Sequence, residues 1–122
     1  MNFRLRTSKY TADRLKQLQA STNITPNILA RLAVSLSLQQ GAIDKVEIKD
    51  TAGIEFNRTT LTGEFDDVYR AAIAQHSGRE VKDEEYFPEL FNMHLERGVR
   101  LLFGEYKYAG NYEKFIINLL SK

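Results

Sequence analysis

Most of this chain is written in the period of an α-helix, and that pattern confines it to a largely helical fold. Leu15 and Leu18 form the apolar stripe of a short helix opened by Thr11 as N-cap, with Asp13 in the first turn. The helix ends near Ser21–Asn23 and carries Arg14 and Lys16 on its other side. Thr25-Pro26 is a second start signal, because Pro suits the first helical position, where an amide hydrogen would have no partner. Ile28, Leu29, Leu32, Ala33 and Leu36 then recur at helical spacing up to Gly41. Thr62-Gly63 leads into a third helix bearing Phe65, Val68, Tyr69, Ala72 and Ile73, stopped at Ser77-Gly78. After a charged loop over 79–85, Phe87-Pro88 begins a long helix to about Tyr106. It has Leu90, Phe91, Leu95, Leu102 and Phe103 inward and Gly98 as a weak point. Ala109-Gly110 precedes a last helix with Tyr112, Phe115, Ile116, Leu119 and Leu120.

Two segments depart from this period. Residues 2–8 alternate, with Phe3, Leu5 and Thr7 on one side and Arg4, Arg6 and Ser8 on the other, which predicts a short strand or arm with arginines on its open face. Val46, Ile48, Ile54 and Phe56 alternate with polar residues around Asp50-Thr51-Ala52-Gly53, which predicts a β-hairpin. The expected fold is mostly α (α+β): an N-terminal strand-helix-helix unit like a ribbon-helix-helix, a small β-hairpin and a C-terminal helical bundle. With no linker, repeat or low-complexity stretch, residues 1–122 read as a single domain.

Composition narrows the chemistry. A chain of 122 residues, 43% hydrophobic with seven Phe and six Tyr, can bury a real core. It has no cysteine, which removes disulfides, thiolate nucleophiles and cysteine-based metal centres. The opening Met1-Asn2-Phe3-Arg4-Leu5-Arg6 does not read as a signal peptide, and no apolar run nears the roughly 20 residues of a membrane helix. A cytoplasmic protein without membrane contact is expected.

The net charge of +1 hides an uneven distribution. Residues 1–45 hold seven cations (Arg4, Arg6, Lys9, Arg14, Lys16, Arg31, Lys45) against Asp13 and Asp44, whereas 46–122 hold ten cations and fourteen acids. Such asymmetry suits one surface that meets an anion. Free amides after Thr25 would add the positive end of a helix dipole, which places Thr25 and Asn27 with the cations as candidate phosphate contacts. The plain alternative is a solvated basic face.

Other constellations read as structural. His76 and His94 lack a carboxylate or second histidine at ligand spacing, so no metal site is expected; a capping or satisfied, partly buried histidine is the better account. The acids Glu64, Asp66 and Asp67, and Glu80, Asp83, Glu84, Glu85 and Glu89, could hold magnesium for phosphodiester cleavage; with Asp66 and Asp67 at a helix start and the second group on a loop and first turn, a solvated cap explains them better, and a docking surface for a basic partner comes next. The C-terminal aromatics suit a core or a subunit interface more than base stacking. No Gly-rich phosphate loop, nucleophile elbow or dinucleotide fingerprint is present, and no cofactor is expected.

Three N-terminal runs resemble the DndE family of the DNA phosphorothioation system: residues Phe3 to Thr11, Arg14-Leu15-Lys16-Gln17-Leu18, and Thr25-Pro26-Asn27-Ile28-Leu29-Ala30-Arg31. The stretch from Leu90 to Val99 resembles its C-terminal half, and the length matches. The resemblance implies a non-catalytic accessory subunit that binds duplex DNA, favouring nicked backbone, and acts as a homo-oligomer, expected to be a tetramer, beside other subunits of the system. Joined to the charge argument, it makes Arg4, Arg6, Lys9, Arg14, Lys16 and Arg31 the expected DNA contacts. A metal-dependent DNA nickase and a ribbon-helix-helix transcription regulator are the alternatives.

Overall fold

A computed structural model describes residues 3–44 and 46–122; Asn2 and Lys45, which entered the alternation and the charge count, lie outside them. In chain order the elements are strand β1 (Arg4–Arg6), helices α1 (Lys9–Thr22) and α2 (Pro26–Leu38), strand β2 (Glu55–Asn57), helix α3 (Arg58–Leu61), a 3-10 turn (Gly63–Phe65), helix α4 (Asp66–Ser77), a kinked turn (Glu85–Leu90), and helices α5 (Phe91–Ala109) and α6 (Tyr112–Leu120). The mostly helical class and the strand-helix-helix opening are as expected.

Helix boundaries follow local chemistry. Ser8, not Thr11, caps α1: its hydroxyl accepts from the Thr11 amide at 3.1 Å, and Thr11 lies buried within the first turn. Asn23 ends α1 in the left-handed region at φ 63°, as the sequence suggested. Helix α2 starts at Thr25-Pro26 but stops at Leu38, short of Gly41. Helix α5 starts at Phe91 rather than Phe87, because the residue before a proline is pushed out of the helical region; Phe87 sits at φ −135°, ψ 126°.

The expected hairpin over 46–57 does not form. Residues 53–57 pair instead with the N-terminal segment, antiparallel, with Arg4 opposite Asn57, Leu5 opposite Phe56 and Arg6 opposite Glu55. The ladder runs on through Thr7 N to Ile54 O and Gly53 N to Thr7 O, both 2.9 Å. A side chain at Gly53 would fall 2.2 Å from Ser8 O and Thr7 Oγ1, so only glycine lets this strand reach the start of α1. Asp50 secures the approach by accepting from the amides of Lys9 (2.8 Å) and Ala52 (3.0 Å). Hence β1 has a strand partner within the chain, where a ribbon-helix-helix strand would be expected to pair with a second subunit.

Helix α5 is the spine. Leu95, Val99 and Leu102 are fully buried, as are Leu29, Ala33 and Val34 of α2 and Leu15 and Leu18 of α1. At Gly98 a Cβ would lie 1.8 Å from the Ala33 carbonyl oxygen, so the residue expected to weaken α5 is what allows α2 to pack on it. Polar side chains of α5 then clip the other elements in place. Glu96 accepts from the hydroxyls of Ser8 and, at 2.8 Å, Thr11; Asn92 donates to Arg6 O at 3.1 Å; Arg97 donates to Ser37 O at 2.7 Å and Ala42 O at 3.0 Å.

Arg58 holds the other side together. Its guanidinium reaches Asp66 and Asp83, each at 2.7 Å, and lies 5.1 Å from the ring centroids of both Tyr86 and Phe87. Burial pushes the Asp66 carboxyl up, but hydrogen bonds from Arg58, Thr62 and Tyr86 outweigh it and hold it below the usual range; the Arg58 hydrogen bond does the same for Asp83. Phe65 and Val68, two of the apolar residues at helical spacing, are exposed, Val68 by 62%.

Replacing Gly98 with Ala should lower stability by about 1–3 kcal/mol or more, read by urea denaturation, since two backbones must separate. Arg58→Ala should cost about 3 kcal/mol, because it leaves two half-buried carboxylates facing each other. With both carboxyls depressed, the wild-type contribution is full above the ordinary value of 3.8 and is lost as pH falls below it.

Candidate nucleic-acid interface

The expected N-terminal contacts fall into separate groups. Arg4 and Arg6 stand on the exposed face of β1, where both reach Glu55 on β2, at 3.2 and 3.3 Å. Two arginines thus share one carboxylate, and this ribbon keeps one positive charge beyond Glu55. Such exposed pairs contribute little to stability and exchange readily for another anion.

Lys9 and Lys16 are exposed on α1. Seven residues apart, they lie within about 20° of each other around the helix axis. Arg14, two residues from Lys16, is turned by roughly 200° to the opposite flank. There its guanidinium packs 4.4 Å from the ring centroid of Phe103 and 5.1 Å from that of Tyr10, and donates to Gln17 Oε1 at 2.9 Å. Arg100 of α5 lies 4.9 Å from the same Tyr10 ring, and Lys107 5.7 Å from Phe103. Two rings therefore gather three cations, each attracted by the negative ring face. Among the described residues none of the three pairs with a carboxylate. Like charges held together without counter-ions make a local potential that favours an anion.

The residues upstream of this cluster hold it in position. Glu96 fixes the first turn of α1 against α5, so Tyr10 and Arg14 face Arg100, Phe103 and Lys107 in one register. Arg100 and Lys107 lie outside the cation-rich first 45 residues and are not among the expected contacts. Their signal was present: Arg100, Phe103 and Lys107 recur at i, i+3 and i+7, one stripe of a helix.

Thr25, Asn27 and Arg31 belong elsewhere. The Thr25 side chain makes no capping hydrogen bond, so the first amides of α2 stay open, but they lie at the far end of α1 from Lys9, about 20 Å along its axis. Arg31 is half buried on α2 beside Tyr69 of α4; burial raises the Tyr69 phenol against the opposing pull of Arg31. The eight candidate contacts therefore do not form one continuous patch.

Of the acids expected to be solvated, Glu64, Asp67, Glu80, Glu84 and Glu89 are exposed, whereas Asp66 and Asp83 come together on Arg58. No cluster of three or more His, Cys, Asp or Glu that could hold a metal ion occurs among the described residues. The two histidines, distant in sequence, meet with ring centroids 4.8 Å apart. His94 is fully buried rather than partly so, and its Nε2 lacks a partner; His76 bonds Gln40 O at the end of α2, at 2.9 Å, instead of capping its own helix. No helix among the described residues is long and apolar enough to cross a membrane.

Comparison with known proteins gives this geometry its setting. The sequence profile of the family described as DNA sulphur modification protein DndE matches residues 4–120. No curated protein matches the chain. The crystal structure of DndE from Escherichia coli B7A, described as involved in DNA phosphorothioation modification, is similar at 25% identity and a TM-score of 0.65. The match covers 81% of this chain and 96% of that one. A mutant form of DndE, also described as involved in DNA phosphorothioation, shares the fold at 24% identity and a TM-score of 0.64, over 83% of this chain and 97% of that one. The chain belongs to the DndE family of DNA sulphur modification proteins.

Proposed function

We propose that this protein is a non-catalytic, DNA-binding accessory subunit of a DNA phosphorothioation system, holding the sugar–phosphate backbone of a duplex. The observation that carries the reading is the cluster of Arg14, Arg100 and Lys107 over Tyr10 and Phe103, without a carboxylate partner among the described residues. With Lys9 and Lys16 on the other flank, α1 becomes a ridge with cations on both sides. A helix with its side chains is about 10–12 Å across and the major groove of B-DNA about 12 Å wide, so such a ridge can meet phosphates of both strands. Arg4 and Arg6 reach the backbone by exchanging Glu55 for phosphate, and the open start of α2 at Thr25 and Asn27, with Arg31, offers a further contact along the duplex.

Nothing in this reading requires a chemical step from the chain itself. Asp66 and Asp83, the acids most placed to serve a nickase, are engaged by Arg58. A nick frees one strand from covalent constraint, so the backbone bends onto both flanks of α1 at lower cost and nicked duplex binds better than intact. The exposed Tyr108, Tyr112, Ile117 and Leu120 near the carboxyl end support self-association or docking to other subunits of the system, in the cytoplasm where the DNA lies.

Fluorescence anisotropy with nicked and intact duplexes at two salt concentrations tests this. Affinity should fall steeply with salt, by a log–log slope of roughly −0.9 per phosphate contact, and nicked duplex should bind more tightly. Exchanging Arg100 and Lys107 for Glu should weaken binding about tenfold or more and flatten the slope by about two. Unchanged affinity in that variant would exclude the surface, and relaxed circles formed from supercoiled plasmid with magnesium would replace the accessory role with a nicking activity.

A further inference from the structure

Residues 46–49 carry the alternation that predicted one arm of a hairpin, and no strand among the described residues pairs with them. Val46 and Ile48 are half buried while Glu47 and Lys49 are exposed, the period of a strand with one face down. The backbone groups of Glu47, Ile48 and Lys49 bond no other group among the described residues. Both ends of the segment are nonetheless held. Upstream, Ile43 is buried, Ala42 O accepts from Arg97 at 3.0 Å, and Ile43 O accepts from the Val46 amide at 3.0 Å. Downstream, Asp50 accepts from the amides of Lys9 and Ala52. A tethered segment with open amides and carbonyls is an edge ready for another strand, with little ordering left to do.

A groove of about 460 Å³ runs beside this edge, with Val46 and Ile48 on one wall and Pro88 and Met93 on the other. Its charged lining is Glu47 and Glu89, both exposed, and neither has a cation partner among the described residues. An adjoining hollow of about 480 Å³ shares Glu89 and Met93 and adds Asp44. The arginine there, Arg79, is taken by Glu85 at 3.0 Å.

We propose that residues 46–49 accept an extended segment of another protein as an added strand, one that alternates apolar residues with a lysine or arginine. Main-chain hydrogen bonds to the open edge supply the hold, and the side chains supply the choice. Apolar residues of the incoming strand turn inward beside Val46 and Ile48, over Pro88 and Met93. A basic residue on its outer face stands across from Glu47, a favourable cross-strand pair. A second copy of the chain fits poorly, since two such edges bring Glu47 and Glu89 of each copy together. The run Phe3-Arg4-Leu5-Arg6 has the required pattern, but it is paired with β2 and its Leu5 is fully buried. The edge shares no residue with the proposed DNA contact, so each is tested without the other.

The probe is the capped peptide Thr-Val-Lys-Val-Thr-Val, titrated without DNA into ¹⁵N-labelled protein. Amides of residues 46–51 and 89–93 should shift. The Val46 amide already serves Ile43 O, so the Glu47 and Lys49 amides share the opposite edge of a strand. Those two should gain about tenfold or more in hydrogen-exchange protection at saturation, with Ile48 unchanged. A peptide N-methylated at alternate residues should bind about tenfold more weakly. The counterpart with Glu in place of Lys should bind about threefold more weakly or worse. Exchanging the exposed Glu47 and Glu89 for Lys should reverse that order of preference. The proposal is overturned by a titration that leaves residues 46–51 unmoved, by an N-methylated peptide that binds as well, or by an order of preference that survives the exchange. Protection of Glu47 and Lys49 that grows with protein concentration alone would replace it with pairing between two copies.

Discussion

At Gly98 the backbone of α5 lies against that of α2 with no side chain between them, and the placement of the other elements follows from that contact. With the two helices so close, polar residues spaced along α5 reach β1, α1 and the end of α2. Asn92 takes β1, Glu96 takes the first turn of α1, and His94 and Arg97 take the end of α2. A core of leucines alone would permit several helix registers with similar burial, whereas these directional bonds admit one. The stretch from Leu90 to Val99 carries these contacts within ten positions.

That frame also decides the electrostatics. Once α1 is fixed on α5 through Ser8, Thr11 and Glu96, Arg14 and Tyr10 stand opposite Arg100, Phe103 and Lys107, and cations about ninety residues apart in sequence share two rings. The rings attract each guanidinium or ammonium without neutralising it, so the charge stays available to an anion from solvent. The arginines of β1 are different: Glu55 already answers them, and their part in meeting a backbone depends on its displacement. Arg14, Arg100 and Lys107 thus gather where two helices meet, while Lys9 and Lys16 stand on the other flank of α1.

What could be read from the sequence was what local chemistry determines. Thr25-Pro26, Asn23 and Ser77-Gly78 mark helix ends because the backbone at those positions sets its own conformation, and the helices fall close to where they were expected. Pairing between distant segments left no such mark. Val46 to Phe56 alternates like a hairpin, yet its second half pairs with β1, because Gly53 and Asp50 dock on the start of α1 and nothing within the segment reveals it. Gly98 looked like a defect for the same reason, since its use lies in α2. Arg58 is one of seventeen cations with nothing local to distinguish it, although it binds two of the acids that could have held a metal. The basic character of α1 was visible, but its partners on α5 and the separation of Thr25, Asn27 and Arg31 from Lys9 required the fold.

The proposed DNA contact rests on α5 holding Arg14 of α1 beside its own Arg100 and Lys107, with Lys9 and Lys16 on the other flank of the α1 ridge. Backbone amide chemical shifts recorded while a short nicked duplex is added address it directly, because they locate contact without altering a residue. The account predicts perturbations concentrated in residues 9–17 and 100–107, fading as salt is raised. Shifts confined to α4 and α6, with α1 and the C-terminal half of α5 unmoved, would contradict it.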